Sequence, residues 1–362
     1  MKNRSLFILF LIVSLVSLTP TSVQATPQIS GELSSNLGII LEDPYNLSAG
    51  QEVILNFDEF LSSGAVHLKF KGDYKLPEGE WALDLDEGYL DYYAPDFDLR
   101  LGKQRLNWGT ALQLNPTDVI NPSNINDPLG EKLPVYLLNL DYYLSDTWQV
   151  TGVYAPFFTP AIAESPNPMI QLVKPENTFK NGEFAIKLSA MALQGMDFSL
   201  SFYHGKEKTP TPIIKPGEAP KAIFRDVNKL GADYATTIGD VGLWAEGSVN
   251  LPKDGDKNFE VIVGADYGFD NGLKIVSQFV HRSEGDKTNI ILGGLNQVKG
   301  LYEWQLGGVY NITAKGLMLN PEFSYSLADA TVFTAGLRYF KDSIGILPNE
   351  ENQVYSQVSV SF

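Results

Sequence analysis

Four carboxylates, Asp84, Asp86, Glu87 and Asp91, precede three cations, Arg100, Lys103 and Arg105, with Pro95 between the two runs. A proline at that point marks a turn, so the runs are expected to pair as antiparallel strands, with Asp91 roughly opposite Arg100 and Glu87 roughly opposite Gln104. Opposite charges facing each other across strands contribute only about 0.2–1 kcal/mol. Such interspersed charge fits a solvated pore wall better than a catalytic site. Strict alternation places Arg100 and Lys103 on opposite faces, and a bulge near Gly102 is the expected device for returning both to one side. After Trp108-Gly109 the pattern turns to Asn115-Pro116-Thr117-Asp118 and Asn121-Pro122-Ser123-Asn124. Asn and Asp bond local backbone amides and Pro fixes φ, so this stretch should be compact and rigid. A rigid polar segment beside basic wall residues could narrow a pore and set its selectivity. The candidate pore-lining and constriction residues are therefore Arg100, Lys103, Arg105, Asp91, Glu87, Asn115, Asp118 and Asn121. An outer loop packed on itself is the competing reading of residues 109–132.

Other chemistry is weakly marked. The chain has three histidines, His67, His204 and His281. His281 and Ser283 sit two apart on one strand face, a spacing that resembles outer-membrane phospholipases. The Asn-Gly that follows the nucleophile there is replaced by Glu284-Gly285, and no third group is placed to orient the imidazole. No His/Cys/Asp cluster has structural zinc spacing. Asp254 and Asp256 lack the loop pattern of a calcium hand. No Gly-rich phosphate loop sits between a strand and a helix. No cofactor and no catalytic residue is implied.

The elements that must position these residues have period two. Val66, Leu68 and Phe70 alternate with His67, Lys69 and Lys71. Phe259, Val261, Val263, Ala265, Tyr267 and Phe269 alternate with Glu260, Gly264 and Asp266. Apolar residues outside and charge inside is the pattern of a membrane barrel. Tight turns, such as Ser62-Ser63-Gly64 and Asp270-Asn271-Gly272, alternate with longer links, Glu42–Gly50, Gly109–Lys132, Thr159–Asn181, Lys206–Arg225, Pro252–Lys257 and Lys341–Asn352. The expected fold is an all-β transmembrane antiparallel barrel of about 18 strands, with 16 as the alternative, both termini on the short-turn side and no plug domain.

Residues 1–25 read as a cleaved secretory signal, with Lys2 and Arg4 before the apolar Leu6–Leu18 and Val23-Gln24-Ala25 at the cleavage site. Residues 26–362 then form the barrel. The formal charge is −16, and two units more acidic without Lys2 and Arg4, which argues against nucleic acid as a partner. There is no cysteine, so no disulfide framework. Val354, Val358, Val360 and the terminal Phe362 share one face, a final strand that resembles those recognised by the barrel-assembly machinery.

The stretches LRLGKQRLNWG and LNPTDVINP resemble a family of bacterial outer-membrane porin-like proteins, mostly known only as a domain of unknown function. LDEGYLDYYAPDFD before them and VFTAGLRYF with QVYSQVSVSF at the end extend the likeness over nearly the whole barrel. The resemblance implies a Gram-negative outer-membrane channel in contact with lipid and lipopolysaccharide. It brings no established substrate. The leading reading is passive diffusion of small hydrophilic solutes, with homo-oligomerisation left open. A lipase-like outer-membrane enzyme, an occluded structural barrel and a hydrophobic-solute barrel are the alternatives. The last would need an apolar pocket, whereas the lumen positions read from the alternation are charged.

Overall fold

The computed structural model describes residues 27–41, 44–76, 79–124, 129–161, 169–283, 287–347 and 350–362. The expected signal segment and Glu284-Gly285 lie outside the described residues. Eighteen strands close into one antiparallel barrel. They are β1 (Gln28–Ile40), β2 (Asn46–Leu61), β3 (Gly64–Leu76), β4 (Glu80–Tyr93), β5 (Phe97–Gln104), β6 (Val135–Tyr143), β7 (Trp148–Ala155), β9 (Glu183–Leu193), β10 (Met196–Lys206), β13 (Asp226–Ile238), β14 (Val241–Pro252), β15 (Asn258–Gly268), β16 (Leu273–Arg282), β17 (Thr288–Lys299), β18 (Tyr302–Asn311), β19 (Gly316–Ala328), β20 (Thr331–Lys341) and β21 (Gln353–Ser361). Each pairs with the next along the chain, and β21 returns to β1 in register from Glu32–Ser361 to Ile40–Gln353. Closure leaves no sheet edge to be solvated by lipid, which cannot hydrogen-bond a backbone. At the seam the Phe362 and Gly31 amides and carbonyls exchange hydrogen bonds at 2.9 and 3.0 Å. A Cβ at Gly31 would collide with the Phe362 ring, so glycine is what admits the terminal aromatic.

The outward face is apolar, as the alternation requires. Ile29, Leu37, Leu200, Val263 and Val298 are exposed there. Tyr74 stacks on Trp81 at 5.0 Å and Trp304 packs on Phe323 at 4.5 Å, with Trp81 and Trp304 both exposed near strand ends. Such belts belong at a membrane–water interface. Among the described residues no helix is long and apolar enough to cross a membrane.

The structure departs from the sequence expectation in the first long link and in the later loops. Asn46–Gly50, expected in a long link, extends β2, because Asn46–Gln51 pairs with Ser35–Ile40 of β1. Three short strands, β8 (Gln171–Val173), β11 (Thr211–Ile213) and β12 (Lys221–Ile223), form a separate sheet in the loops, β8 running parallel to β12. Three residues carry no readable period.

Val263 lies at the centre of β15 with its side chain outward. Val263→Arg is expected to lower the stability of the barrel folded into lipid vesicles by about 2–4 kcal/mol in a denaturant titration. No loss would mean that this face does not meet hydrocarbon.

Candidate functional site

β5 is short. Its ladder with β4 runs without a shift from Tyr93–Asp98 to Gly88–Lys103 and stops there. The lower-numbered half of β4 therefore has no β5 partner, and side chains take over where the ladder ends. Glu87 accepts the Arg105 backbone N–H at 2.8 Å. The Arg105 guanidinium forms a two-point pair with Asp86 at 2.9 and 2.7 Å, and its Nε donates to the Lys132 carbonyl. A two-point guanidinium–carboxylate pair fixes direction as well as distance. This steers the chain off the wall and into the lumen.

The bulge expected near Gly102 is not in β5. The register shift lies between β3 and β4, at Lys69/Phe70, where β4 carries Asp86 as the extra residue. Lys103 accordingly falls on the same face as the outward Leu99 and Leu101, and it is not a lumen residue. Its Nζ donates to the Leu85 carbonyl at 2.5 Å. The cation thus satisfies an acceptor on the edge of β4 that β5 is too short to reach. An outward lysine is tolerable because its long stem lets the charge reach a polar partner.

From Arg105 the chain enters the lumen and it is back at the wall by Leu133; residues 105–124 and 129–133 make up this strap. Asn121 joins its two legs. Its Oδ1 accepts from the Leu106 amide at 2.8 Å, and its Nδ2 donates to the Gln104 and Leu133 carbonyls at 3.1 and 2.8 Å. Asn115 caps the inner turn, accepting from the Thr117 and Asp118 amides at 3.2 and 3.1 Å and donating to the Trp108 carbonyl. The two Asn-Pro repeats thus act as the turn chemistry predicts.

The far end of the strap is held by the wall at β14 and β16. Glu246 of β14 is 3% exposed. Its Oε2 accepts from the Thr110 and Ala111 amides at 2.9 and 3.0 Å. Its Oε1 accepts from the Thr117 amide and hydroxyl, both at 2.8 Å. Gln278 of β16 accepts from the Leu112 amide at 2.9 Å and donates to the Leu112 carbonyl at 3.0 Å, while Trp244 holds its Oε1 at 3.0 Å. Gly109 has φ +82°, and a Cβ there would strike the Glu246 carboxylate, so only glycine brings the strap this close.

Apolar packing fills the space on both sides of this grip. Leu106, Trp108 and Ile120 pack on the inward faces of Val135, Leu137, Val153 and Val227. Leu114 packs with Ile262, Val280, Ile290 and Leu292 on the other side. Burying a large apolar side chain contributes about 1.5–3 kcal/mol, so the strap is docked as a core element.

Two polar cavities border the strap. One, of about 380 Å³ toward the short-turn end, is lined by Asp91, Arg100, Arg105, Trp108, Asp141 and Lys187. Asp91 and Arg100 are directly opposite in register and hydrogen-bonded at 2.6 and 3.0 Å. Arg100 also lies 4.2 Å over the Tyr89 ring, and Lys187 lies 5.0 Å over Trp108. The other cavity, of about 560 Å³ toward the long loops, includes Asn115, Asp118, Asn121, Lys132, Lys229 and Arg282 in its lining. Asp118 pairs with Lys132 at 2.9 Å, and its second oxygen meets no donor among the described residues. Burial raises the Asp118 carboxyl above the usual range, against the opposing pull of Lys132.

Of the expected residues, Asp91, Arg100, Arg105, Asn115, Asp118 and Asn121 border these cavities, Glu87 anchors the strap's departure, and Lys103 is outside. Glu246 falls on the lumen face of β14 by alternation, which marks it as a wall residue and not as an anchor. Gln278 and Trp244 carried no signal. The His281–Ser283 spacing does not assemble a base and nucleophile: His281 Nδ1 is engaged by Asn289 at 2.8 Å, and Ser283 Oγ accepts the Phe259 amide at 2.7 Å.

The family described as "Protein of unknown function (DUF1302)" matches residues 73–258, which include the strap and its Glu246 anchor. The chain belongs to this family. Among solved structures, the DUF1302 barrel is similar to the outer membrane protein opdK from Pseudomonas aeruginosa, with a TM-score of 0.62 at 8% identity, covering 93% of this chain and 98% of that one. It is likewise similar to OccAB4 from Acinetobacter baumannii, with a TM-score of 0.60 at 11% identity, covering 94% and 99%. OccAB1 from the same organism gives 0.59 at 9% identity, covering 96% and 98%. At such identities the likeness is one of fold. No curated protein matches the DUF1302 barrel in sequence.

Glu246→Ala leaves four strap donors without an acceptor, at about 1–3 kcal/mol for each that stays buried. The strap is expected to undock instead, so that limited proteolysis cuts within residues 109–124 of a barrel that still migrates as folded. Glu246→Gln should be cut more slowly than Glu246→Ala. Equal resistance in all three proteins would mean that Glu246 does not hold the strap.

A raised Asp118 pKa also has a defined sign. Its contribution to strap docking is fully present below the unfolded Asp pKa and is lost as pH rises through the higher folded value. The Asp118 carboxyl band, assigned by Asp118→Asn in infrared titration of the folded barrel, should disappear at a higher pH than that of an ordinary aspartate. A band lost in the ordinary range would contradict the burial.

Proposed function

We propose that this protein is an outer-membrane channel for passive diffusion of small hydrophilic solutes, narrowed at mid-height by the strap of residues 105–124. The observation that carries the reading is the Glu246 grip, which draws an otherwise extramural loop across the lumen between two charged cavities. A barrel that served only as a structural wall would gain nothing from an internal strap bordered by solvated charge. The apolar exterior and the architecture shared with an outer membrane protein support the location. In this reading residues 1–25 direct export. The long loops face outward among lipopolysaccharide, and β21 with Phe362 is the strand offered to the barrel-assembly machinery.

The cavity toward the long loops presents five cations, and Asp118, Glu183, Glu207 and Glu260 pair with Lys132, Lys208, Arg225 and Arg282, which leaves Lys229 as its cation without an ion pair among the described residues. Fixed charge of one sign at a narrow passage raises the local concentration of counter-ions. The channel should therefore favour anions, although the whole chain carries a formal charge of −16.

The test is single-channel conductance of the refolded chain in a planar bilayer with a salt gradient. Stable steps with an anion-selective reversal potential are expected, and Lys229→Glu should move that potential toward cations. A folded barrel without conductance would overturn the channel reading. Cation selectivity unaffected by Lys229→Glu would overturn the role given to the outer cavity.

A further inference from the structure

On the side of the lumen away from the charged strands β4 and β5 lies a cavity of about 490 Å³. Its volume is in the range of about 300–1,000 Å³ typical of sites for small organic ligands. Its lining is mainly apolar: Leu112 and Leu129 from the strap, Val276, Leu292 and Met318 from the wall, and Leu347 from the β20–β21 loop. Water-filled passages for hydrophilic solutes are lined by polar groups, so this chamber requires another explanation.

Its depth comes from an arrangement of glycines. In the β17–β18 ladder Gly293 faces Gly308 and Gly294 faces Gly307. Gly294 and Gly307 share the lumen face with Val276 and Asn320, their register partners on the flanking strands. Across these two positions the floor of the cavity is bare backbone. The glycines are not demanded by crowding. A Cβ at Gly294 would meet its nearest atoms at 3.5 Å, and one at Gly307 would meet them at 4.0 Å. Neither has a positive φ that would exclude other residues. The space they leave is therefore available to a guest.

One end of the cavity is polar and carries a single free cation among the described residues. Arg338 of β20 lines it, is exposed, and makes no hydrogen bond or ion pair with another described residue. By contrast, Glu322, the carboxylate in the lining, is engaged by the Tyr355 hydroxyl at 2.6 Å, and Asn320 bonds the same hydroxyl at 3.0 Å. The chamber thus offers an apolar body site and one guanidinium, which suits a carboxylate or sulfate head.

We infer that this chamber is a binding site for an amphipathic monoanion, whose alkyl body lies on the Gly294–Gly307 floor and whose head group is held by Arg338. The site is separate from the charged cavities on either side of the strap. It restores the apolar pocket that the alternation of charged wall residues had argued against. Binding does not depend on passage through the barrel, so it is measured independently of the channel reading.

The test is equilibrium dialysis of labelled octanoate against the folded full-length barrel in amphipol. Saturable binding near one molecule per chain is expected. Gly307→Leu, which fills the floor without backbone strain, should weaken binding at least tenfold, and Arg338→Gln should do the same. Octyltrimethylammonium should not compete with octanoate, whereas octyl sulfate should. Non-saturable uptake, or equal binding by the wild type and Gly307→Leu, would overturn the site. Equal binding by Arg338→Gln, or competition by the cation, would overturn the head-group assignment. Refolding of each variant is checked by its gel mobility, and Gly294→Leu is the second floor variant should Gly307→Leu not fold.

Discussion

A buried carboxylate with four donors governs the interior of this barrel. Glu246 sits on β14, a part of the wall remote from β5 where the strap leaves, and both of its oxygens are engaged by the strap's tip. Such a group is costly to bury unless its hydrogen bonds are made, and the strap supplies three amides and a hydroxyl. The dependence is mutual, since the strap's inner turn would otherwise present unpaired amides in a largely apolar setting. Hydrogen bonds to a charged acceptor are individually stronger than neutral ones, at about 1.5–3 kcal/mol. The anchor is therefore directional, and the apolar clusters beside it add adhesion without choosing a position.

The origin of the strap lies in the shortness of β5. Once the ladder ends at Gly88–Lys103, β4 has unpaired backbone and the chain must depart. Arg105 with Asp86 and Glu87 sets the direction of departure, Lys103 covers the Leu85 carbonyl, and Asn121 brings the returning leg back to Gln104. A local defect in the wall is thus converted into an internal partition. A charged cavity lies on each side of it, and beside the β17–β18 glycines lies an apolar one.

The wall was legible from sequence because a barrel strand must keep period two for its whole length. Phe259 to Phe269 shows this alternation, and the terminal Val354–Phe362 does as well. The Asp91–Arg100 pairing followed from a turn at Pro95, and the register matches it. The interior was less legible. Ile262, Val280, Leu292 and Met318 face inward although they are apolar, because the strap and the β20–β21 loop cover them. A pattern rule that reads apolar as outward cannot know of a covering that comes from elsewhere in the chain. Lys103 failed for a related reason. The bulge that adjusts the faces lies in β4 at Asp86, a strand away from the glycine that drew attention. Glu246 and Gln278 are ordinary wall residues in sequence, separated from their strap partners by more than a hundred positions.

The most direct measurement is amide hydrogen exchange, resolved by residue, in the folded barrel. If Glu246 and Gln278 hold the strap in the lumen, the amides of Thr110, Ala111, Leu112 and Thr117 exchange far more slowly than an unstructured chain would, despite lying outside every strand. If those four amides exchange at unstructured rates while the barrel strands stay protected, the strap is not pinned, and the partitioned lumen described here is wrong.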